Sequence, residues 1–132
     1  LEHQIILKKI NFKKTRPICV MFADQGFDLN NIEKLIDIGY QGIMIDTCYK
    51  NSKSIVDLLS QKEIKDFLKR VKSRGMVCGL SGSLKLEHIS MLRELKPDFL
   101  GFRGQLCDSL KARHKFNANL AKKVSKKIKL GS

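Results

Sequence analysis

Asp46 and Lys50 stand four residues apart, just past an apolar run, and that pairing has chemistry available to it. A lysine beside a carboxylate and partly withdrawn from water can move protons or attack a carbonyl as a free amine. An exposed loop salt bridge is the plainer account of the same two residues. Further along, Gly82-Ser83 and Arg103-Gly104 end two more apolar runs, and these residue types suit a phosphate. Small residues let backbone N–H groups approach the oxygens, the hydroxyl donates, and a guanidinium adds a charge-assisted fork. Glycines that only permit tight turns are the competing reading. Asp24 ends a first run in the same way and completes the candidate set.

Other chemistry is weakly signalled. Cys19, Cys48, Cys78 and Cys107 are spaced 29, 30 and 29 residues apart, and His3, His88 and His114 are scattered. A structural zinc site takes its ligands in close pairs, so no metal is expected and reduced thiols are. The even spacing suggests that a structural unit recurs.

The elements that must position these residues follow one theme, repeated four times between Pro17 and Gly104. An apolar run of strand length is followed by a polar turn and a helical pattern. The runs are residues 18–23, 42–45, 76–80 and 98–102, and they end at Asp24, Asp46, Ser81-Gly82-Ser83 and Arg103-Gly104. Between them, Leu29, Ile32, Leu35 and Ile36 mark a helix stopped by Gly39. Ser60-Gln61-Lys62-Glu63 is a capping box ahead of the stripe Ile64, Phe67, Leu68 and Val71, which Gly75 ends, and a shorter helical piece precedes it over 54–59. Leu86, Ile89, Leu92 and Leu95 line a third helix, terminated by Pro97. Strands that are apolar throughout predict cover on both faces. Alternating strands and helices predict an α/β fold with a parallel sheet, and in such folds the strand tips face a common space.

Two architectures fit: a small open doubly wound sheet, or part of a (βα)8 barrel. A full barrel takes roughly 200–250 residues, whereas 132 residues supply four units in a single domain, 1–132. The opening segment, 1–16, reads as the tail of a helix whose own strand is missing. The pattern therefore starts midway, which favours a parallel (βα)4 half-barrel, either a truncated product or one half of a split molecule. In a barrel the last two loops are also the usual phosphate place.

Composition narrows the function classes. With 42% hydrophobic and 30% charged residues the chain is globular. No apolar run nears the ~18 residues of a membrane span and no leader opens the chain, so a cytoplasmic protein with no membrane partner is expected. The net charge of +13 invites nucleic acid, but residues 1–16 contribute +4, residues 111–129 contribute +8 and the middle only +1. Residues 117–130 read as a basic C-terminal helix packed by Leu120, Ala121, Val124 and Ile128, with no aromatic among its lysines for base stacking, so nucleic acid is not the expected partner.

Three segments resemble one family. Residues 44–59, with Asp46, Thr47, Lys50, Lys53 and Ser54, are similar to the D-T-x-x-K-x-x-K-[ST] signature of the (5-formylfuran-3-yl)methyl phosphate synthases. Residues 78–89 resemble that family's A-G-S-[IL]-x-x-[ED]-H-I segment, and residues 99–107 its G-[VF]-R-G-x-x-C segment. Phe22-Ala23-Asp24 matches the end of the preceding strand, and order and spacing agree throughout.

The resemblance implies a (βα)8 barrel of which this chain is strands 5–8. It implies a lyase that condenses two molecules of glyceraldehyde 3-phosphate into a furan aldehyde phosphate, on the way to methanofuran-type carriers, without metal or other cofactor. A lysine imine activates one triose, and further lysines and aspartates move protons. Carried over, Asp46 and Lys50 fall on the family's aspartate–lysine pair, with Asp24 as a third catalytic candidate. Gly82, Ser83, Arg103 and Gly104 fall on the phosphate-holding tips. The family's first-strand D-x-K lysine has no counterpart here, and residues 108–114 replace a loop rich in Gly and Arg/Asn. The isolated chain is therefore expected to be inactive unless a homo-oligomer or a complementing N-terminal half completes it. A polyanion-binding module and another phosphate-sugar aldolase or isomerase are the rival readings.

Overall fold

The computed structural model describes residues 2–49, 53–109 and 114–130. Four parallel strands, β1 (Ile18–Phe22), β2 (Gly42–Asp46), β3 (Val77–Leu80) and β4 (Phe99–Leu100), form one sheet in the order β1-β2-β3-β4. The ladders align Ile18 with Gly42, Phe22 with Asp46, Ile45 with Leu80, and Leu80 with Leu100. Parallel crossovers are right-handed, so a sheet whose spatial order repeats its sequence order receives its connecting helices on one face. A doubly wound sheet needs a reversal of order, and these strands have none. The fold is α/β and compatible with half of a (βα)8 barrel.

The helices are α1 (Glu2–Lys9), α2 (Ile32–Ile38), α3 (Ile55–Leu58), α4 (Gln61–Ser73), α5 (Ile89–Glu94) and α6 (Ala118–Lys129). Four of them have a visible local cause. Asp28 caps a 3-10 turn ahead of α2 by accepting the Asn30 N–H at 2.9 Å. Gly39, at φ +106°, stops α2 in a conformation that disfavours side chains. Ser54 with Asp57 opens α3 and Ser60 with Glu63 opens α4, each carboxylate reaching back to the serine N–H at 2.7 Å. Those hydrogen bonds hold Asp57 and Glu63 below their ordinary pKa values. Asn117 caps α6 by accepting from the N–H groups of Asn119 and Leu120. The stripe Ile64, Phe67, Leu68 and Val71 of α4 is buried against the sheet, each side chain contributing about 1.5–3 kcal/mol. No helix among the described residues is long and apolar enough to cross a membrane.

The two sheet faces differ. Toward the helices, Ile43, Ile45, Cys78 and Leu80 are 0% exposed. On the opposite face Ile18, Val20 and Phe22 remain 37%, 43% and 37% exposed. The apolar runs predict cover on both faces, and the described residues supply it chiefly on one, because the winding never reverses. Phe99 partly closes the other face by lying across Gly79, where a Cβ would come within 2.2 Å of its ring.

Two further expectations are corrected. The fourth run yields a strand of only 2 residues; just ahead of it the Asp98 carboxylate accepts the Cys78 N–H at 2.7 Å, and the Asp98 N–H donates to the Cys78 carbonyl at 2.8 Å. The even cysteine spacing does not mark a repeat: strands start at 18, 42, 77 and 99. Cys19 and Cys78 lie within strands, whereas Cys48 and Cys107 lie beyond strand tips. None of the four is joined in a disulfide.

Candidate functional site

The strand tips build the site from their register. Phe22 pairs with Asp46 in the ladder, and the next rungs place Ser81 beside Asp46 and Gly101 beside Ser81. The Ser81 N–H donates to the Ile45 carbonyl and the Gly101 N–H to the Leu80 carbonyl, both at 2.8 Å, so the ladder outlasts the strands. Gly101 leaves room for its neighbour: a Cβ there would lie 2.9 Å from Ser81 Oγ. Above this row opens a cleft of about 350 Å3 lined by Asp46, Ser83, Arg103 and Gly104, together with Phe22, Thr47, Cys48, Ser81 and Gly101. A second cleft of about 360 Å3 runs along β1 beside α2 and contains none of the expected site residues.

Three groups of the cleft have distinct surroundings. Asp46 accepts the N–H of Thr47 at 2.6 Å through Oδ1. Ser83 adopts a left-handed φ of +51°, and its Oγ is the one buried side-chain polar atom among the described residues with no hydrogen-bond partner. Strain and an unsatisfied hydroxyl in one residue are features that functional sites retain. Arg103 is exposed and begins a 3-10 turn over Gly104–Leu106, its carbonyl accepting from the Leu106 N–H at 3.0 Å and from the Cys107 thiol at 3.3 Å. Gln105 Oε1 accepts the Leu86 N–H at 3.1 Å and so ties the loops after β3 and β4 together.

The remaining expected residues stand apart. Asp24 lies two positions past Phe22, so it is not the counterpart of Asp46 in the row. Its carboxylate accepts the N–H groups of Cys48 and Tyr49 at 2.9 and 2.8 Å. Gly82, at φ +102°, is packed under the loop after β2: a Cβ would meet Ile55 Cγ2 at 2.6 Å and the Thr47 nitrogen at 2.9 Å. Its carbonyl accepts the Ile55 N–H at 3.2 Å. Lys50 lies outside the described residues. Thus Asp46, Ser83, Arg103 and Gly104 share one cleft, while Asp24 and Gly82 flank the loop that borders it.

Sequence reasoning did not single out Phe22, Thr47, Cys48 or Gly101 as lining residues. Counting from strand ends would have found Phe22 and Gly101, since each occupies the same rung as a polar tip residue. Cys48 is the exposed thiol of this cleft. Cys78, by contrast, is sealed in the sheet, where burial first and then the Asp98 charge push its thiol up to about 11.

A profile of the 4-HFC-P synthase family matches residues 2–125. Over 114 residues the chain is 33% identical to the (5-formylfuran-3-yl)methyl phosphate synthase of Methanocaldococcus jannaschii, covering 82% of this chain and 47% of that protein. A protein of the same name from Methanococcus maripaludis is 39% identical over 71 residues, 54% of this chain and 30% of its own length. Another, from Methanosarcina mazei, is 34% identical over 85 residues, 60% of this chain and 36% of its own length. The chain spans less than half the length of these relatives. Because the matched region takes in all four strands, the tip cleft and part of α6, this chain belongs to the 4-HFC-P synthase family.

Proposed function

We propose that this chain supplies strands 5–8 of a (βα)8 furan-phosphate synthase, and that it acts on phosphorylated trioses when the other half of the barrel completes it. The reading is carried by one observation: Ser83, whose Oγ is buried and unpartnered, lines the same cleft as Arg103, Gly104 and Asp46. A phosphate seated there takes the Ser83 hydroxyl, the Gly104 region of backbone and the guanidinium as donors, a set matched to its charge and shape. That grip sets the triose carbonyl toward Asp46. Asp46, held in place by the Thr47 N–H, exchanges protons with the carbon being joined, and Lys50 serves as its partner acid or base. The imine lysine of the resembled family belongs to the half not present here, so condensation, dehydration and phosphate loss need both halves.

Completion is a physical requirement as well. Among the described residues β1 and β4 each have one unpaired edge, and β1 presents exposed apolar residues beside its own. A second copy is a poor complement. Two-fold closure sets the +4 segment ahead of β1 in one copy beside the +8 segment following β4 in the other. Like charges disfavour that contact, so we take a complementing N-terminal half as the preferred partner.

The test is reconstitution. Co-expressed with the N-terminal remainder of the Methanocaldococcus jannaschii relative, the chain should convert glyceraldehyde 3-phosphate into a furan aldehyde phosphate detectable by mass. Asp46→Asn and Lys50→Ala should each lower the rate about 100-fold or more. A well-folded complex that forms no furan product would contradict the proposal.

A further inference from the structure

We infer that Asp24 is the positioning residue of the loop after β2, fixing the backbone from Thr47 to Tyr49 that follows Asp46 rather than carrying a proton itself. The inference rests on the proposed role of that loop and adds what holds it in place.

The chain leaves β1 in a tight turn. Gln25 donates its N–H to the Phe22 carbonyl at 3.2 Å, and Gly26 follows at φ +67°. Asp24 sits inside this turn, and its carboxylate reaches sideways to the loop after β2, 24 and 25 residues away in sequence. Oδ1 takes the Cys48 N–H at 2.9 Å and Oδ2 the Tyr49 N–H at 2.8 Å. Two successive amides on the two oxygens of one carboxylate fix both the place and the tilt of a peptide segment. A charged acceptor makes such bonds roughly twice as strong as neutral ones.

On the other side the loop is bounded by Thr47, 1% exposed, which packs against the bare Cα of Gly82. The segment is therefore held between the tip of β1 and the tip of β3, with Asp46 at its start and Lys50 immediately after Tyr49. A proton added to Asp24 would weaken the bonds that keep the segment there. Asp46 lines the cleft and Asp24 does not, which separates the two carboxylates by task.

The test uses the 132-residue chain with Asp24→Ala and Asp24→Asn, read in three ways. Amide hydrogen exchange reports on Cys48 and Tyr49. Borohydride trapping with glyceraldehyde 3-phosphate, across pH, reports on Lys50. Inorganic phosphate affinity reports on the Ser83–Arg103 corner, which other loops build. In Asp24→Ala the two amides should exchange at least about tenfold faster. Trapping at Lys50 should fall about tenfold through loss of orientation, with its pH midpoint unmoved. Asp24→Asn, which keeps one acceptor oxygen, should fall between, and phosphate affinity should stay within about twofold in both variants. Unchanged exchange at Cys48 and Tyr49, or a trapping profile whose pH midpoint shifts in Asp24→Asn while those amides stay protected, would overturn the inference. A parent chain that gives no Lys50 adduct leaves Lys50 the acid or base of the proposed function, and the amide exchange then decides the role of Asp24.

Discussion

The two faces of the sheet are made from the same strands and similar residues, yet they have opposite fates. Ile43 and Ile45 of β2 face the helices and are fully enclosed, while Ile18 and Val20 of the neighbouring strand point the other way and stay more than a third exposed. Residue type does not distinguish them; winding does. Three crossovers of one hand, laid down in sequence order, stack the helices on one side and leave the other open for whatever completes the sheet. The enclosed face carries the stability of this chain. The open face and the tips above it carry the features that suit a ligand.

The largest expected effect lies on the enclosed face. Phe67 is fully buried in the core and meets the Phe27 ring edge-on at a centroid distance of 6.1 Å. Phe67→Ala should cost about 3–5 kcal/mol in denaturant unfolding. Gly82→Ala comes next, at roughly 1–3 kcal/mol, because a side chain must be forced into a left-handed position already in contact with the Thr47 backbone. Val20→Ser on the open face should change the stability of the isolated chain by no more than about 0.5 kcal/mol. A cost as large as that of Phe67→Ala would mean that this face is covered after all. In the reconstituted complex the same Val20→Ser should become clearly destabilising, which sharpens the contrast.

A smaller effect separates the helix starts from the rest. Asp57 and Glu63 have depressed pKa values because Ser54 and Ser60 donate to their ionised forms. Their stabilisation is present in full above the ordinary carboxylate range and is lost as pH falls below about 4. Thermal melts between pH 7 and pH 3 should show this loss, and Ser54→Ala with Ser60→Ala should flatten it. An equally steep acid limb in the double variant would remove the capping boxes from the explanation.

Much of this architecture is legible in the chain's letters, for local reasons. Gly39, the Ser60–Glu63 box and Pro97 act within a few residues of themselves, so helix boundaries follow from neighbours. The convergence of Asp46, Ser83 and Arg103 follows from parallel strands ending at one level. What escapes sequence reading depends on register and on long-range side-chain bonds. Asp24 looks like the counterpart of Asp46, yet the ladder gives that rung to Phe22 and frees Asp24 to bond the next loop. The Asp98 carboxylate takes the Cys78 N–H at the start of β4, a long-range bond that no periodicity reveals. The cysteine spacing misleads because connecting segments differ in length, so an even count between side chains need not be an even count between strands.

The most direct measurement is an NMR titration of the 132-residue chain with glyceraldehyde 3-phosphate, following every backbone amide. The resonances of Ser83, Gly104 and Thr47 should move together and saturate, and Arg103→Ala should weaken that binding about tenfold or more, since a charge-assisted fork is lost. Shifts confined to the lysines of α6, with the same affinity in Arg103→Ala, would contradict a phosphorylated-triose site at the strand tips.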